Sequence, residues 1–276
     1  MSRLAVRKTY KLYVGGAFAR SESGRHDPVL DHEGSHVANI TRASRKDVRD
    51  AVQAARKAQP AWAARTAYNR GQILYRAAEA LESRGAELGV ERRELEASID
   101  VLVHYAGWTD KLQPILGGIN PVAAPFLSFS LPEPTGVVGI LAPDEPELLG
   151  LVGELAPALA AGNSAVALAS EARPLAALDL AEVLGVSDVP TGVVNLLSGR
   201  RHELAGPLAG HHAISAIVDA SGDGELGAEI DRLAAESVTR VRHSPPTSSY
   251  DEAVADALTR LEAVTELKTA WHPIGA

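Results

Sequence analysis

A doubly wound, mostly parallel α/β sheet is the fold class this sequence predicts, and three features predict it. From residue 136 onward, short apolar runs alternate with amphipathic helical ones. Gly162-Asn163 supplies a left-handed stop where one helix passes into the next strand. A proline-rich segment, 117–134, stands in front as an extended arm.

Taken in order, residues 10–18 (YKLYVGGAF) alternate around a Gly-Gly pair and read as a short hairpin. Ser44 followed by Asp47 is a capping-box start. Val48, Val52 and Ala55 then keep helical spacing until Pro60, which is expected to end the run. A second helix is predicted over 67–84, with Ile73, Leu74, Ala77 and Leu81 on its apolar stripe, and a third around 86–106. In the arm, Phe126 to Leu131 alternate in the strand period.

GVVGILA, SAVALA, VVNLL, AISAIVD and VTRVR follow as strands, with helices near 146–161, 174–184, 202–209 and 224–236 between them. Nearly continuous apolar strands separated by helices indicate a parallel sheet covered on both faces. Residues 262–273 (EAVTELKTAWHP) form a second extended candidate.

Composition removes several function classes. The chain of 276 residues has 27 Lys+Arg against 35 Asp+Glu, a net charge of −8, which argues against a nucleic-acid partner. With 46% hydrophobic and 22% charged residues it is an ordinary globular chain of one large or two small domains. It contains no cysteine, which excludes disulfides, thiolate metal sites and any cysteine nucleophile of its own. Met1 to Lys8 lack the apolar stretch of a secretory signal, and the apolar region 148–169 is broken by Glu154, Pro157, Gly162 and Asn163. No membrane role is expected, and the expected location is the cytoplasm.

Candidate chemistry is sparse. Gly222-Asp223-Gly224-Glu225-Leu226-Gly227 matches the dinucleotide fingerprint between a strand and a helix. Its two acids, however, would stand where a pyrophosphate approaches, and the next strand ends in Arg240-Val241-Arg242-His243 rather than in an acid. A plain turn followed by helix-stabilising N-terminal charges is the preferred reading. His202-Glu203 and His211-His212 lack metal-ligand spacing, so no metal is expected. Ser198, Ser221 and Ser244 sit in no nucleophile elbow, and Arg42, Arg45 and Lys46 are interleaved with Asp47 and Asp50 as a solvated helix start.

Longer blocks carry a family resemblance. KLYVGGAFARSESGR, PAWAARTAYNRGQILYRAAEALESR, HYAGWTDKLQ, EPTGVVGILAP, LAPALAAGNSAVALASEARPLAALDLAEVL and DVPTGVVNLLSG, in this order over roughly residues 10–242, resemble the aldehyde dehydrogenase superfamily. That resemblance implies a nucleotide-binding domain over 1–113 plus 135–261, oligomerisation arms over 114–134 plus 262–276, and a missing catalytic domain.

The departures bear on function. The family's Pro-Trp-Asn, whose Asn helps to form the oxyanion hole, stands here as Pro143-Asp144-Glu145. The family's Lys-Pro-Ala-Glu stands as Leu168-Ala169-Ser170-Glu171, and its Phe-Thr-Gly-Ser as Val218-Asp219-Ala220-Ser221. Gly199 matches a cofactor-loop glycine but is followed by Arg200 and Arg201. The family's general-base Glu motif is replaced by His243-Ser244-Pro245-Pro246.

LEAVTELKTAWHPIG is similar to the family's final, arm-forming segment, so the chain reads as a member from which the catalytic domain has been deleted internally. The resemblance thus implies a catalytically inactive homologue that binds a full-length aldehyde dehydrogenase, or itself, through the arms. No catalytic residue and no cofactor are expected. The alternatives are an NAD or NADP sensor using the vestigial positions Glu171, Gly199 and Ser221, and an aldehyde oxidoreductase that borrows a nucleophile from a partner chain.

Overall fold

The computed structural model describes residues 6–274. The chain opens with β1 (Thr9–Tyr10), the hairpin β2 (Leu12–Val14) and β3 (Ala17–Ala19), then β4 (His26–Leu30) and β5 (His36–Thr41). Helices α1 (Arg45–Ala63), α2 (Ala67–Arg84) and α3 (Arg92–Trp108) come next, with a single 3-10 turn at Gly85–Glu87, and then short α4 (Leu112–Leu116). β6 (Gly118–Asn120) and β7 (Phe126–Pro134) form the arm. The alternating half is β8 (Val137–Leu141), α5 (Leu149–Ala160), β9 (Ser164–Leu168), α6 (Leu175–Val186), β10 (Val194–Leu197), α7 (Arg201–Ala209), β11 (Ala216–Asp219), α8 (Gly224–Ser237) and β12 (Arg240–His243). The described chain closes with α9 (Tyr250–Ala255), α10 (Ala257–Ala263) and β13 (Thr265–Pro273).

The main sheet runs β12-β11-β8-β9-β10-β2-β3. Its five central strands are parallel, and the β2–β3 hairpin adds antiparallel to the β10 edge. Alternate side chains of β8 point to opposite cores. Val138 and Ile140 pack with α2, α3, α5 and α6, whereas Val137 and Leu141 pack with α1, α7 and α8. Both faces are therefore covered, as the unbroken apolar strands require. The winding reverses at β8: β9 and β10 lie to one side, while the chain after β10 crosses back through α7 to put β11 on the other. Such a reversal leaves a crevice at the carboxyl ends of the strands, the usual ligand position in open α/β sheets.

Several boundaries differ from expectation. Helix α1 continues through Pro60, because the residues beyond it are held: Trp62 is buried and its indole N–H donates to the Leu159 carbonyl at 3.2 Å. The third helix starts at Arg92 rather than near 86, since the 3-10 turn and Gly89 at φ +69° interrupt the path. The helix expected from 146 begins at Leu149. Strands β4 and β5 were not signalled. Their polar sequence includes Pro28, which is tolerated because β4 is an edge strand of the small sheet β1-β5-β4.

The arm is a three-stranded sheet ordered β13-β7-β6. β7 and β13 pair antiparallel over nine residue pairs, from Pro134 with Thr265 to Phe126 with Pro273. Residues 262 and 263 belong to α10, so the returning strand starts at Thr265. The buried side chain of Asn163 ties the base of this arm to the body. Its Oδ1 accepts from the Gly136 amide at 2.8 Å and from Thr135 Oγ1 at 3.0 Å, and its Nδ2 donates to the Val264 carbonyl at 2.9 Å and the Ala158 carbonyl at 3.1 Å.

Candidate functional site

Four helices, α5 to α8, begin at the carboxyl edge of the main sheet, and a helix N-terminus is a natural anion site because its first amides have no intrahelical partner. At three of them, α5, α7 and α8, first-turn amides are met by a carboxylate of the chain itself. At α5, Glu94 Oε1 accepts from the amides of Leu148 and Leu149 at 2.7 and 3.0 Å. At α7, Glu171 Oε2 accepts from the Arg201 amide at 2.7 Å. At α8, Asp223 caps the helix, Oδ1 taking both the Glu225 and Leu226 amides at 3.1 Å.

Between the α5 and α7 ends lies a partly buried polar cluster. Asp144 follows β8, and its Oδ1 accepts from Ser170 Oγ at 2.8 Å, from the Glu171 and Ala172 amides at 3.1 and 3.3 Å, and from Arg201 Nη2 at 2.8 Å. Burial alone would raise the Asp144 pKa, but the bonds from Ser170 and Arg201 outweigh it and hold the carboxyl below the usual range. Arg201, 7% exposed, also donates Nη2 to the Ala142 carbonyl at 3.0 Å, and its Nε has no partner. The guanidinium thus lies across the strand ends that border the crevice. Glu145, where the resemblance places an oxyanion donor, instead forms an exposed ion pair with Arg173 at 2.7 Å.

At the β11 end, buried Asp219 accepts from the Ser221 amide at 3.0 Å and shares a 3.2 Å hydrogen bond with His243 Nδ1, while His243 Nε2 meets Asp231 at 3.0 Å. Partial burial lowers the His243 pKa, but its bonds to Asp231 and Asp219 overcome that and raise it. These groups, with Gly222 and Asp223, line a shallow pocket of about 350 Å³.

The three positions singled out from sequence separate. Glu171 and Gly199 share a cleft of about 490 Å³ with Asp27 and Leu30 of β4. Ser221 lies after β11, where its Oγ accepts from the Asp223 amide at 3.2 Å. Gly199 has a packing reason of its own: at φ +144° a Cβ there would stand 3.1 Å from the Ala43 backbone nitrogen. His202 pairs with Asp223 at 3.1 Å, and no group of three potential metal ligands exists among the described residues. Two contributors had no sequence signal: Glu94, 54 positions before the amide it caps, and Glu154. Glu154 is 2% exposed within α5 and bonds Arg260, Arg242 at 3.0 Å and Ser244 Oγ at 2.5 Å.

The ends of α7 and α8 are poorly disposed to a dinucleotide. Its pyrophosphate needs open amides at a helix N-terminus, and Asp223 already takes two of those of α8 and Glu171 one of those of α7 with negative charge.

The open sheet, its reversal point and the projecting arm define a nucleotide-binding-type α/β domain carrying a three-stranded arm. Comparison with known proteins places it more closely. The model of the aldehyde dehydrogenase family matches residues 18–244. The protein DhaS of Bacillus subtilis (strain 168), an aldehyde dehydrogenase by name, is 32% identical over 249 residues, which are 84% of this chain and 50% of that protein. The crystal structure of PnpE from Pseudomonas sp. WBC-3 superposes with a TM-score of 0.81 at 30% identity, over 86% of this chain and 51% of that one. The NAD+ complex of an aldehyde dehydrogenase from Bacillus cereus gives 0.80 at 27%, over 85% and 50%. The chain belongs to the aldehyde dehydrogenase family, and it spans about half the length of the curated relatives it matches. No helix among the described residues is long and apolar enough to cross a membrane.

Proposed function

We propose that this protein is a non-catalytic member of the aldehyde dehydrogenase family, a structural or regulatory subunit that engages a full-length aldehyde dehydrogenase through its arm. The observation that carries the reading is the arm itself: a strand of nine residues, β13, lies at the sheet edge with eight of its nine residues exposed. Such an edge presents a row of backbone groups ready to pair with another strand. Two further facts support it. The 276 residues contain no cysteine, and an aldehyde-oxidising member of this family needs a thiolate to attack its substrate. At the strand ends where a cofactor would lie, Glu171 and Asp223 place negative charge on helix-end amides.

The test is co-elution of the purified chain with a full-length aldehyde dehydrogenase encoded in the same genome. A stable complex whose activity or thermal stability differs from that of the enzyme alone is the expected result. Independent elution at micromolar concentrations of both proteins sinks the proposal.

A second reading, a non-catalytic NAD or NADP sensor, is favoured by one observation, that Glu171 and Gly199 line the same cleft. Heat released on titration with either dinucleotide would support it, and silence at millimolar ligand removes it.

A further inference from the structure

Strand β13 carries a pattern that is its own complement. In the arm, odd-numbered residues of β13 share a face with Phe126, Ser128 and Ser130. The Phe126 and Trp271 rings meet edge to face with centroids 6.0 Å apart, and Thr269 Oγ1 lies 2.8 Å from Ser130 Oγ. Even-numbered residues occupy the other face, where Lys268 pairs with Glu133. The two large apolar side chains of β13, Leu267 at 58% exposure and Trp271 at 60%, are on the Phe126 face at equal distances from Thr269. Glu266 and His272 lie equally far from Thr269 on the opposite face.

We infer that, when no other strand covers it, the open edge of β13 pairs antiparallel with the β13 of a second copy, about a two-fold axis through Thr269. This rests on the reading of the arm as an association element and names a partner and a register for it.

The register follows from elementary pairing rules. Outward-pointing backbone groups recur at every second residue, so in a symmetric antiparallel pair an odd-numbered residue must face an odd-numbered one. Centring on Thr269 pairs all nine residues, sets Leu267 against Trp271 of the second copy twice, and sets Glu266 against His272 twice. Directly opposed apolar and opposite-charge pairs each favour a ladder. Centring on Lys268 would place the two lysines face to face. Centring on Ala270 would oppose Lys268 to His272 and shorten the pairing, and like charges directly opposite are unfavourable. The product is a continuous six-stranded sheet in which both β13 edges are buried.

The natural absence of cysteine makes the test clean. In this register the two Thr269 Cα atoms oppose each other at about 4.5–5.5 Å, within the roughly 4.4–6.8 Å that a disulfide spans. Thr269→Cys is therefore expected to give a covalent dimer on mild oxidation. Glu266→Cys is not, because two copies of that position would lie about 20 Å apart along the strand. Both sites are exposed, so each variant folds as the parent does, which circular dichroism checks. Light scattering of the unmodified chain at about 100 μM, where a mid-micromolar association is visible, is expected to report a dimer, and Trp271→Lys a monomer.

A monomeric parent chain overturns the inference. So does linkage through position 266, or a dimer that Thr269→Cys fails to link. If the chain alone is monomeric but co-elutes with a full-length aldehyde dehydrogenase, the self-pairing falls and the proposed function stands. If it dimerises and ignores the enzyme, the reverse holds.

Discussion

Arg201 Nη2 lies 2.8 Å from Asp144 Oδ1, and through that contact the residue that opens α7 is fastened to the loop after β8 across the crevice. Removing the guanidinium by Arg201→Ala leaves Asp144 with three donors and leaves Glu171 and Asp223 on their helix ends. The expected cost is about 1–3 kcal/mol of stability in urea unfolding, with NAD titration still silent. If the variant binds NAD at submillimolar concentration, the carboxylates on the helix ends are not the barrier described here. Because the Asp144 carboxyl titrates below its ordinary range, its stabilising contribution is present at neutral pH and is lost as pH falls through the lowered pKa.

Glu154 contacts two guanidinium groups, those of Arg242 and Arg260, at the junction of α5, β12 and α10. Glu154→Gln keeps the shape but leaves Arg260 and Arg242 buried or half-buried without a counter-charge. Breaking one side of such a network typically costs about 3–5 kcal/mol. A midpoint in urea unchanged from the parent would show that the two arginines find other partners.

His243 gives the protein a pH dependence of calculable sign. Its folded pKa is raised, so the stabilisation from Asp219 and Asp231 is complete below the ordinary imidazole value of about 6.5 and fades as pH climbs through the folded value. The stability difference between the parent and His243→Gln is expected to be largest below about pH 6.5 and to shrink as pH rises. A difference that grows with rising pH would show that the imidazole is bound in its neutral form.

Asn163→Ala removes four hydrogen bonds at the arm base and leaves the Gly136 amide without its partner. A loss of about 2–4 kcal/mol is expected. Hydrogen exchange should quicken at Thr135, Gly136 and Thr265 before it does in β9. Uniform acceleration throughout the sheet would mean that Asn163 supports the whole core rather than the arm.

Local chemistry was legible along the chain. The capping box is formed in full, with Ser44 accepting the Asp47 amide and Asp47 accepting the Ser44 amide. Gly162 adopts φ +94° at the predicted stop, and the apolar runs from Val137 to Val241 became parallel strands in the expected alternation. These features were readable because periodicity, caps and turn residues act over a few neighbours. The same holds for the Asp223 cap, which follows from an acid two and three positions before the amides it accepts.

Order in space is a different matter. Nothing local tells Glu94 that it will cap a helix 54 residues later, or Glu154 that it will meet Arg242 and Arg260. Likewise, sequence marked Glu171, Gly199 and Ser221 together, and the fold put the first two in one cleft and the third at another strand end. By itself the sequence determined the element types, the strand alternation and the absence of a cysteine nucleophile. The Arg201–Asp144 contact at the strand ends and the open edge of β13 were decided by tertiary structure alone, because both depend on which long-range neighbours arrive to satisfy a charge or a backbone edge.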